Sequence, residues 1–481
     1  MQFERTHDAG SAWARAGGAT PAFKALLRIG TNRDVARLAA LVPKAREVAE
    51  AVSVASGVAQ AYVILRELPP GIVSRLVRHP STAYWVATTT HLLRVHVGRE
   101  VPSRTLAFEG PAEWQLAQHL ADLHRIAVAG RVIALDTFAT TLTPVHDGAF
   151  VLPTTGVVVG GVVPGVPLHI EAHAVDRSRI ALHFAQGSRT LSITTDQPWA
   201  LRDVAQHEVS HAHEMRLLPT PRVRGTGAGF EIDRWDPYLA NAWVRHEVFP
   251  GGVPGVLDTE TNLSRWASTL RGTMDLLAGC WPEMEVEISS MVGSVVPVAA
   301  PDDTRSLSVT AQDFPGALLC SLDPVPMMGE VLVHEYRHNL LNSLTAVEPV
   351  FRDDSPTDER FYSPWRDDPR SLNGLLHAMF TFSAVVDFHR RYLERGQPTP
   401  RNQRAAKRRA KAHAMRLSLA MRQFEAARLT PFGEGLVAGL AEVIADHSTF
   451  AETLVGPEVE DMADAVRVHA ARAGVPLDIL R

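Results

Sequence analysis

Two five-residue stretches of this chain carry the residue types of a metal site at helical spacing. They are His334-Glu335-Tyr336-Arg337-His338 and His207-Glu208-Val209-Ser210-His211. Histidines four apart stack on one face of a helix, with Cβ atoms about 5–6 Å apart. Two imidazoles can then converge on one ion at about 2.0–2.1 Å. The opposite side of such a helix has to be buried, because water and flexibility degrade ligand geometry. Val331, Leu332, Val333, Leu340, Leu341 and Leu344 supply that side around His334 and His338. Asp203, Ala205 and Gln206 make a more polar approach to His207. That copy is expected to be a solvated or partly packed helix, and the copy at 334 to be the ligand pair.

A third ligand must come from elsewhere. His377, in the apolar helical segment Gly374-Leu375-Leu376-His377-Ala378-Met379-Phe380, is the first choice. Glu348, Asp353, Asp387 and His389 are its rivals, and a lone histidine in an apolar helix is more often a satisfied core residue. Three weaker constellations stand beside it. His169-Ile170-Glu171 has the H-x-E form of facial-triad iron sites, but two same-face strand residues without a metal explain it as well. Ser363-Pro364-Trp365-Arg366-Asp367-Asp368-Pro369-Arg370 is dense in turn residues and charge. Its arginines suit either a carboxylate fork or a salt-bridged loop. The run Arg401, Arg404, Lys407, Arg408, Arg409, Lys411 and Arg416 suits an acidic peptide, an anionic cosubstrate or simply a solvated helix face. It has no interleaved aromatics of the kind that stack on nucleic acid.

The elements that must hold these residues follow from periodicity. Residues 1–135 read as a helical region, with apolar positions such as Val35, Leu38, Leu41 and Val42 at three- and four-residue spacing. Residues 136–300 read as a mixed region containing strands, where Gly, Pro, Val and Thr dominate and Leu191-Ser192-Ile193-Thr194 alternates. Residues 301–481 read as the helical, metal-binding region, interrupted by the polar basic stretch near 395–416. The expected fold class is α+β, mainly α-helical, with a zincin-like metal-binding helix in the C-terminal half.

Bulk properties narrow the function classes. The 481 residues are 46% hydrophobic and 21% charged, enough apolar matter for a large core. A net charge of −5 gives no general attraction to nucleic acid or anionic membrane. Two cysteines, Cys280 and Cys320, make neither a disulfide framework nor a thiolate zinc site. The N-terminus has no signal-peptide pattern. Residues 148–170 lack charge but contain Pro153, Pro164 and Pro167, which a lipid-exposed helix could not absorb. A cytoplasmic protein that meets neither membrane nor nucleic acid is expected; the oligomeric state stays open.

The segment Leu332-Val333-His334-Glu335-Tyr336-Arg337-His338-Asn339-Leu340-Leu341-Asn342-Ser343-Leu344 resembles the core of a bacterial family of H-E-x-x-H peptide-modification proteins. The likeness continues through Tyr362-Ser363-Pro364-Trp365-Arg366-Asp367-Asp368-Pro369-Arg370 and Gly374-Leu375-Leu376-His377. It takes in Asp236-Pro237-Tyr238 upstream and Leu429-Thr430-Pro431-Phe432-Gly433 downstream, spanning roughly half the chain. Ser371 and Ala378 stand where members usually have Pro and often have Gly. The resemblance implies an Fe(II)- and 2-oxoglutarate-dependent peptide β-hydroxylase that tailors a ribosomally made precursor peptide. It implies iron on His334, His338 and His377, with Arg366, and after it Arg370, clamping the distal carboxylate of 2-oxoglutarate. Glu335 would orient a ligand, a water or the substrate amide. The rival from another class is a zinc metallopeptidase, with Zn²⁺ on the same histidines and Glu335 activating water. A non-catalytic peptide-binding protein with a structural metal is the third reading.

Overall fold

The computed structural model describes residues 10–14, 21–49, 55–99, 111–146, 149–196, 207–218, 220–227, 229–242, 263–300 and 306–475. It is a mixed α+β protein, about 59% helix and 16% strand, so helices dominate as expected. The described chain divides into two compact units, which cut across the three consecutive regions read from the sequence. One unit holds residues 1–23, 269–288 and 323–481, and the other holds 24–268 and 289–322.

Helices come first: α1 (Pro21–Ala49), α2 (Ala55–Glu67), α3 (Pro70–Arg78), α4 (Pro80–His96) and α5 (Ala112–Ile133). Helix α5 is buried on nearly every face, from Leu116 to Ile133, and its neighbours pack around it. The strands that follow form two antiparallel sheets. Strands β1 (Phe138–Leu142), β4 (Leu168–Ala174), β5 (Arg179–Gln186), β6 (Arg189–Asp196) and β7 (His207–His213) pair in the order β1-β4-β5-β6-β7. Strands β2 (Ala149–Leu152), β3 (Val157–Gly160) and β8 (Arg216–Leu217) form a smaller sheet. The uncharged stretch 148–170 is thus strands and turns around its prolines. Alternation puts Ile170, Leu182, Phe184, Leu191 and Ile193 into the core and leaves a polar outer face.

A third, mixed sheet contains β9 (Arg222–Val223), β10 (Phe230–Ile232), β11 (Ser294–Pro297), β12 (Ser308–Val309) and β13 (Ala317–Cys320). Between β10 and β11 run α6 (Pro237–Ala242), α7 (Leu263–Cys280) and α8 (Pro282–Met291). Cys280 and Cys320 are both buried, and neither is in a disulfide.

The remaining helices belong to the first unit: α9 (Val325–Thr345), α10 (Leu372–Arg395), α11 (Pro400–Met421), α12 (Pro431–Glu452) and α13 (Pro457–Arg472). Their starts are legible in side-chain oxygens that accept from free backbone N–H groups. Ser371, Thr399 and Thr430 cap α10, α11 and α12 through Gly374, Asn402 and Gly433. Leu332, Val333, Leu340 and Leu341 of α9 are buried, as are Leu376, Phe380, Val385 and Phe388 of α10. The basic stretch expected to separate two helical parts is itself helix α11, because Ala405, Ala406, Ala410, Ala412 and Ala414 give it high helix propensity and several of them a buried face. Among the described residues no helix is long and apolar enough to cross a membrane.

Candidate metal centre

His334 and His338 lie on α9, four residues apart on one face. Their Nε2 atoms are 3.1 Å apart. Two ligands at about 2.1 Å from one ion would be separated by about 3.0 Å at a right angle and about 3.4 Å at the tetrahedral angle. The pair therefore fits two adjacent coordination positions, although a hydrogen bond between two imidazoles has the same length. His377 of α10 joins them, with its Nδ1 3.0 Å from His338 Nδ1. Of the rival ligands, Glu348 is exposed beyond the end of α9, and Asp353 is exposed in the following loop. Asp387 is bonded to Arg390 at 2.7 Å. His389 is bonded to Glu330 at 2.9 Å.

His338 gives Nε2 to His334 and Nδ1 to His377, on opposite edges of its ring. The three imidazoles thus form a chain rather than a ring of convergent donors. Among the described residues no group of three or more His, Cys, Asp or Glu is arranged to hold a metal ion. The donor chemistry nonetheless suits a transition metal. All three rings are only partly exposed. Burial holds His334 below the usual histidine range. Burial, with the neighbouring His334 and His377, holds His338 well below it. Burial and His334 bring His377 down to about 4. Each therefore offers a neutral lone pair near neutral pH, as a metal requires.

The rest of the motif is structural. Glu335 is 2% exposed. The Tyr336 hydroxyl donates to Glu287 at 2.8 Å. Arg337 is 1% exposed, lies over the Phe380 ring at 3.6 Å, and donates to the Trp13 and Ala14 carbonyls. These contacts hold the buried side of α9 against its neighbours and so fix the histidine face.

The Pro-Trp-Arg-Asp-Asp-Pro-Arg block reaches this face through its tryptophan. Trp365 stacks on Phe382 with ring centroids 4.9 Å apart, and Phe382 lies 4.7 Å from His334. Trp365 Nε1 also donates to His413 Nδ1 at 3.3 Å, while His413 stacks on Phe382. The two arginines of the block share one partner, Asp368. Arg366 bonds Asp368 at 2.7 Å, and Arg370 pairs with the other oxygen of Asp368 at 3.2 Å. Arg366 is more than half exposed. Ser371, at the position where proline was expected, is the N-cap of the helix that carries His377.

Three residues of this neighbourhood were missed by the sequence reading: Glu330, Phe382 and His413. Glu330 had a signal, since it stands one turn before His334 on the same helical face. It accepts from His389 Nε2 at 2.9 Å and from Arg409 Nη1 at 2.8 Å, tying α9 to α10 and α11. Phe382 and His413 had none, because the stack joins three separate segments.

The other H-E-x-x-H copy is not helical. His207 to His213 is strand β7, paired with β6 and broken by a register shift opposite Ser192 and Ile193. Strand residues four apart are about 13 Å apart, too far to share an ion, and His211 is exposed. His169 and Glu171 lie on one face of β4, bonded at 3.1 Å and half exposed.

No protein-family model matches the chain, and no curated protein matches it.

Proposed function

We propose that this chain is an Fe(II)- and 2-oxoglutarate-dependent peptide β-hydroxylase, and that its substrate is a ribosomally made precursor peptide. The observation that carries the reading is the contact of His377 with the His334–His338 pair. His377 was chosen by its residue type and apolar helical surroundings, and the resemblance that implies this chemistry also spans it. His334 and His338 would hold the iron, with His377 beside them as the nearest further donor. When bound, iron with the keto acid supplies the oxidising power for C–H hydroxylation.

The chain's own residues have other tasks. Neutral imidazoles leave the site free of protons that a metal would have to displace. Phe382 and Trp365 wall one side of His334 with aromatic surface and limit water there. Glu335, buried on the adjoining side of α9, orients a neighbour rather than serving as a base. Arg366 is the proposed clamp for the distal carboxylate, which requires it to exchange Asp368 for the cosubstrate. An exposed ion pair is worth little, so that exchange costs little.

The test is succinate formation by anaerobically purified, Fe(II)-loaded protein given 2-oxoglutarate and O₂, with and without a precursor peptide encoded beside its gene. Peptide-stimulated succinate and a peptide mass gain of one oxygen atom support the reading. No succinate, with peptide cleavage restored by zinc, replaces it with the metallopeptidase.

A further inference from the structure

The motif His169-Ile170-Glu171 lies on β4, in the middle of the five-stranded sheet, and the helical histidines make no use of it. Ile170, Leu182, Phe184 and Leu191 point into the core and are fully buried. Their neighbours His169, Glu171, His183 and Ser192 therefore share the outer face. The register sets Thr141 across from His169, His183 across from Glu171, and Ser192 across from His183. Side chains directly opposite have Cβ atoms about 4.5–5.5 Å apart. Glu171 thus stands beside one histidine along its own strand and across from another on the next. All of these residues belong to the unit that holds 24–268.

His169 Nε2 is 3.1 Å from Glu171 Oε1. Two donors at about 2.1 Å from one ion have that separation. The other ring nitrogen of His169, Nδ1, lies 3.1 Å from the Thr141 hydroxyl. His183 Nδ1 lies 2.7 Å from the Ser192 hydroxyl. Both rings are therefore held at Nδ1 by a hydroxyl of the neighbouring strand, and both have Nε2 left for a ligand bond. A metal-bound histidine is oriented in this way, with its second nitrogen donating to a neighbouring oxygen. The three donors do not converge in the structure as it stands. Glu171 is nearly half exposed and bonds only His169 across that distance. Turning its carboxylate toward His183 costs little, because an exposed pair is worth little.

Two imidazole nitrogens and one carboxylate oxygen suit a borderline divalent ion such as zinc, whereas magnesium and calcium prefer oxygen alone. We propose that His169, Glu171 and His183 form an exchangeable site for a divalent transition-metal ion, with water in the position left open. Thr141 and Ser192 orient the two rings. His173 shares the face but is exposed and lies across from Ala181, so it is outside the set. Donors on an open sheet face release their ion on dialysis, so the site is read by titration. It involves none of the helical histidines and is independent of the oxygenase reading.

Zinc is titrated calorimetrically into the full chain and into the full chain carrying His334→Ala and His338→Ala, which removes the α9 pair. The double variant should still take up one zinc ion, and magnesium should not displace it. His169→Ala, Glu171→Gln and His183→Ala should each weaken that uptake at least about tenfold, and Ser192→Ala about tenfold by loss of the orienting bond. His173→Ala should bind as the parent does. These positions face away from the core, so circular dichroism should stay unchanged. The proposal is overturned if the folded double variant takes up no zinc, if magnesium displaces zinc from it, or if Glu171→Gln or His183→Ala binds as tightly as the parent. Should the double variant unfold, the parent decides: its zinc stoichiometry should fall by one ion in His183→Ala, and an unchanged stoichiometry overturns the proposal.

Discussion

Replacing Glu330 by glutamine tests whether one buried carboxylate pins the histidine helix. Glu330 is 8% exposed and accepts two charge-assisted hydrogen bonds, from His389 and Arg409. Burial pushes its carboxyl up, but the His389 hydrogen bond and the nearby Arg409 charge outweigh that and hold it at about 2, against an ordinary 4.5. Each tenfold in proton affinity is about 1.36 kcal/mol. The ionised form is thus worth about 3 kcal/mol to the folded state near neutral pH. A depressed carboxyl contributes stability that is present above its unfolded value of 4.5 and lost as pH falls toward 2. About 2 kcal/mol of the contribution should be gone by pH 3. Glutamine cannot ionise, so Glu330→Gln should unfold in urea about 3 kcal/mol more easily than the parent at pH 7, and the gap should narrow by about 2 kcal/mol at pH 3. Circular dichroism at the two pH values measures it. A gap under about 1 kcal/mol at pH 7, or one that does not narrow in acid, would refute the reasoning.

Four further outcomes are expected. His334→Ala and His338→Ala should each lower iron or zinc retained through dialysis at least about tenfold, whereas His211→Ala, on an exposed strand, should leave it unchanged; metal analysis by mass spectrometry decides. The metal-free protein should lose thermal stability as pH falls below about 6.5, because the unfolded chain takes up protons that the buried histidines refuse. For His377 that loss should end near pH 4, where the folded ring titrates. Phe382→Ala should cost about 2 kcal/mol of stability by removing the ring between Trp365, His413 and His334, and should shift tryptophan fluorescence to the red. Arg366→Ala should change stability by under about 0.5 kcal/mol, since it breaks only an exposed pair, yet raise the 2-oxoglutarate requirement; an unchanged requirement removes it as the clamp.

Local chemistry and period were legible in the chain. Apolar residues around His334 and His338 at helical spacing specified a helix with one buried side, and alternation after residue 149 specified strands, because burial of one face is decided within a few residues. Ser371, Thr399 and Thr430 cap helix starts for the same local reason, a signal that the sequence reading left unused. What the sequence left open was decided by contacts between distant segments. The H-E-x-x-H pattern at 207 has the same spacing as that at 334, but pairing with β6 made it a strand and carried its histidines apart. The basic run near 400 looked like an interruption, yet its alanines gave it a helix that packs on the rest of the unit. His377 was picked from four rivals by type and surroundings, but only the packing of α10 on α9 brings it to His338. That packing also turns His338 so that its two nitrogens face different neighbours. Arg366 and Arg370 converge on Asp368, and Trp365 rather than either arginine reaches the histidine face. Spacing along a chain sets which side chains share a face; which faces meet, and through which atoms, follows from how separate helices bury their apolar sides together.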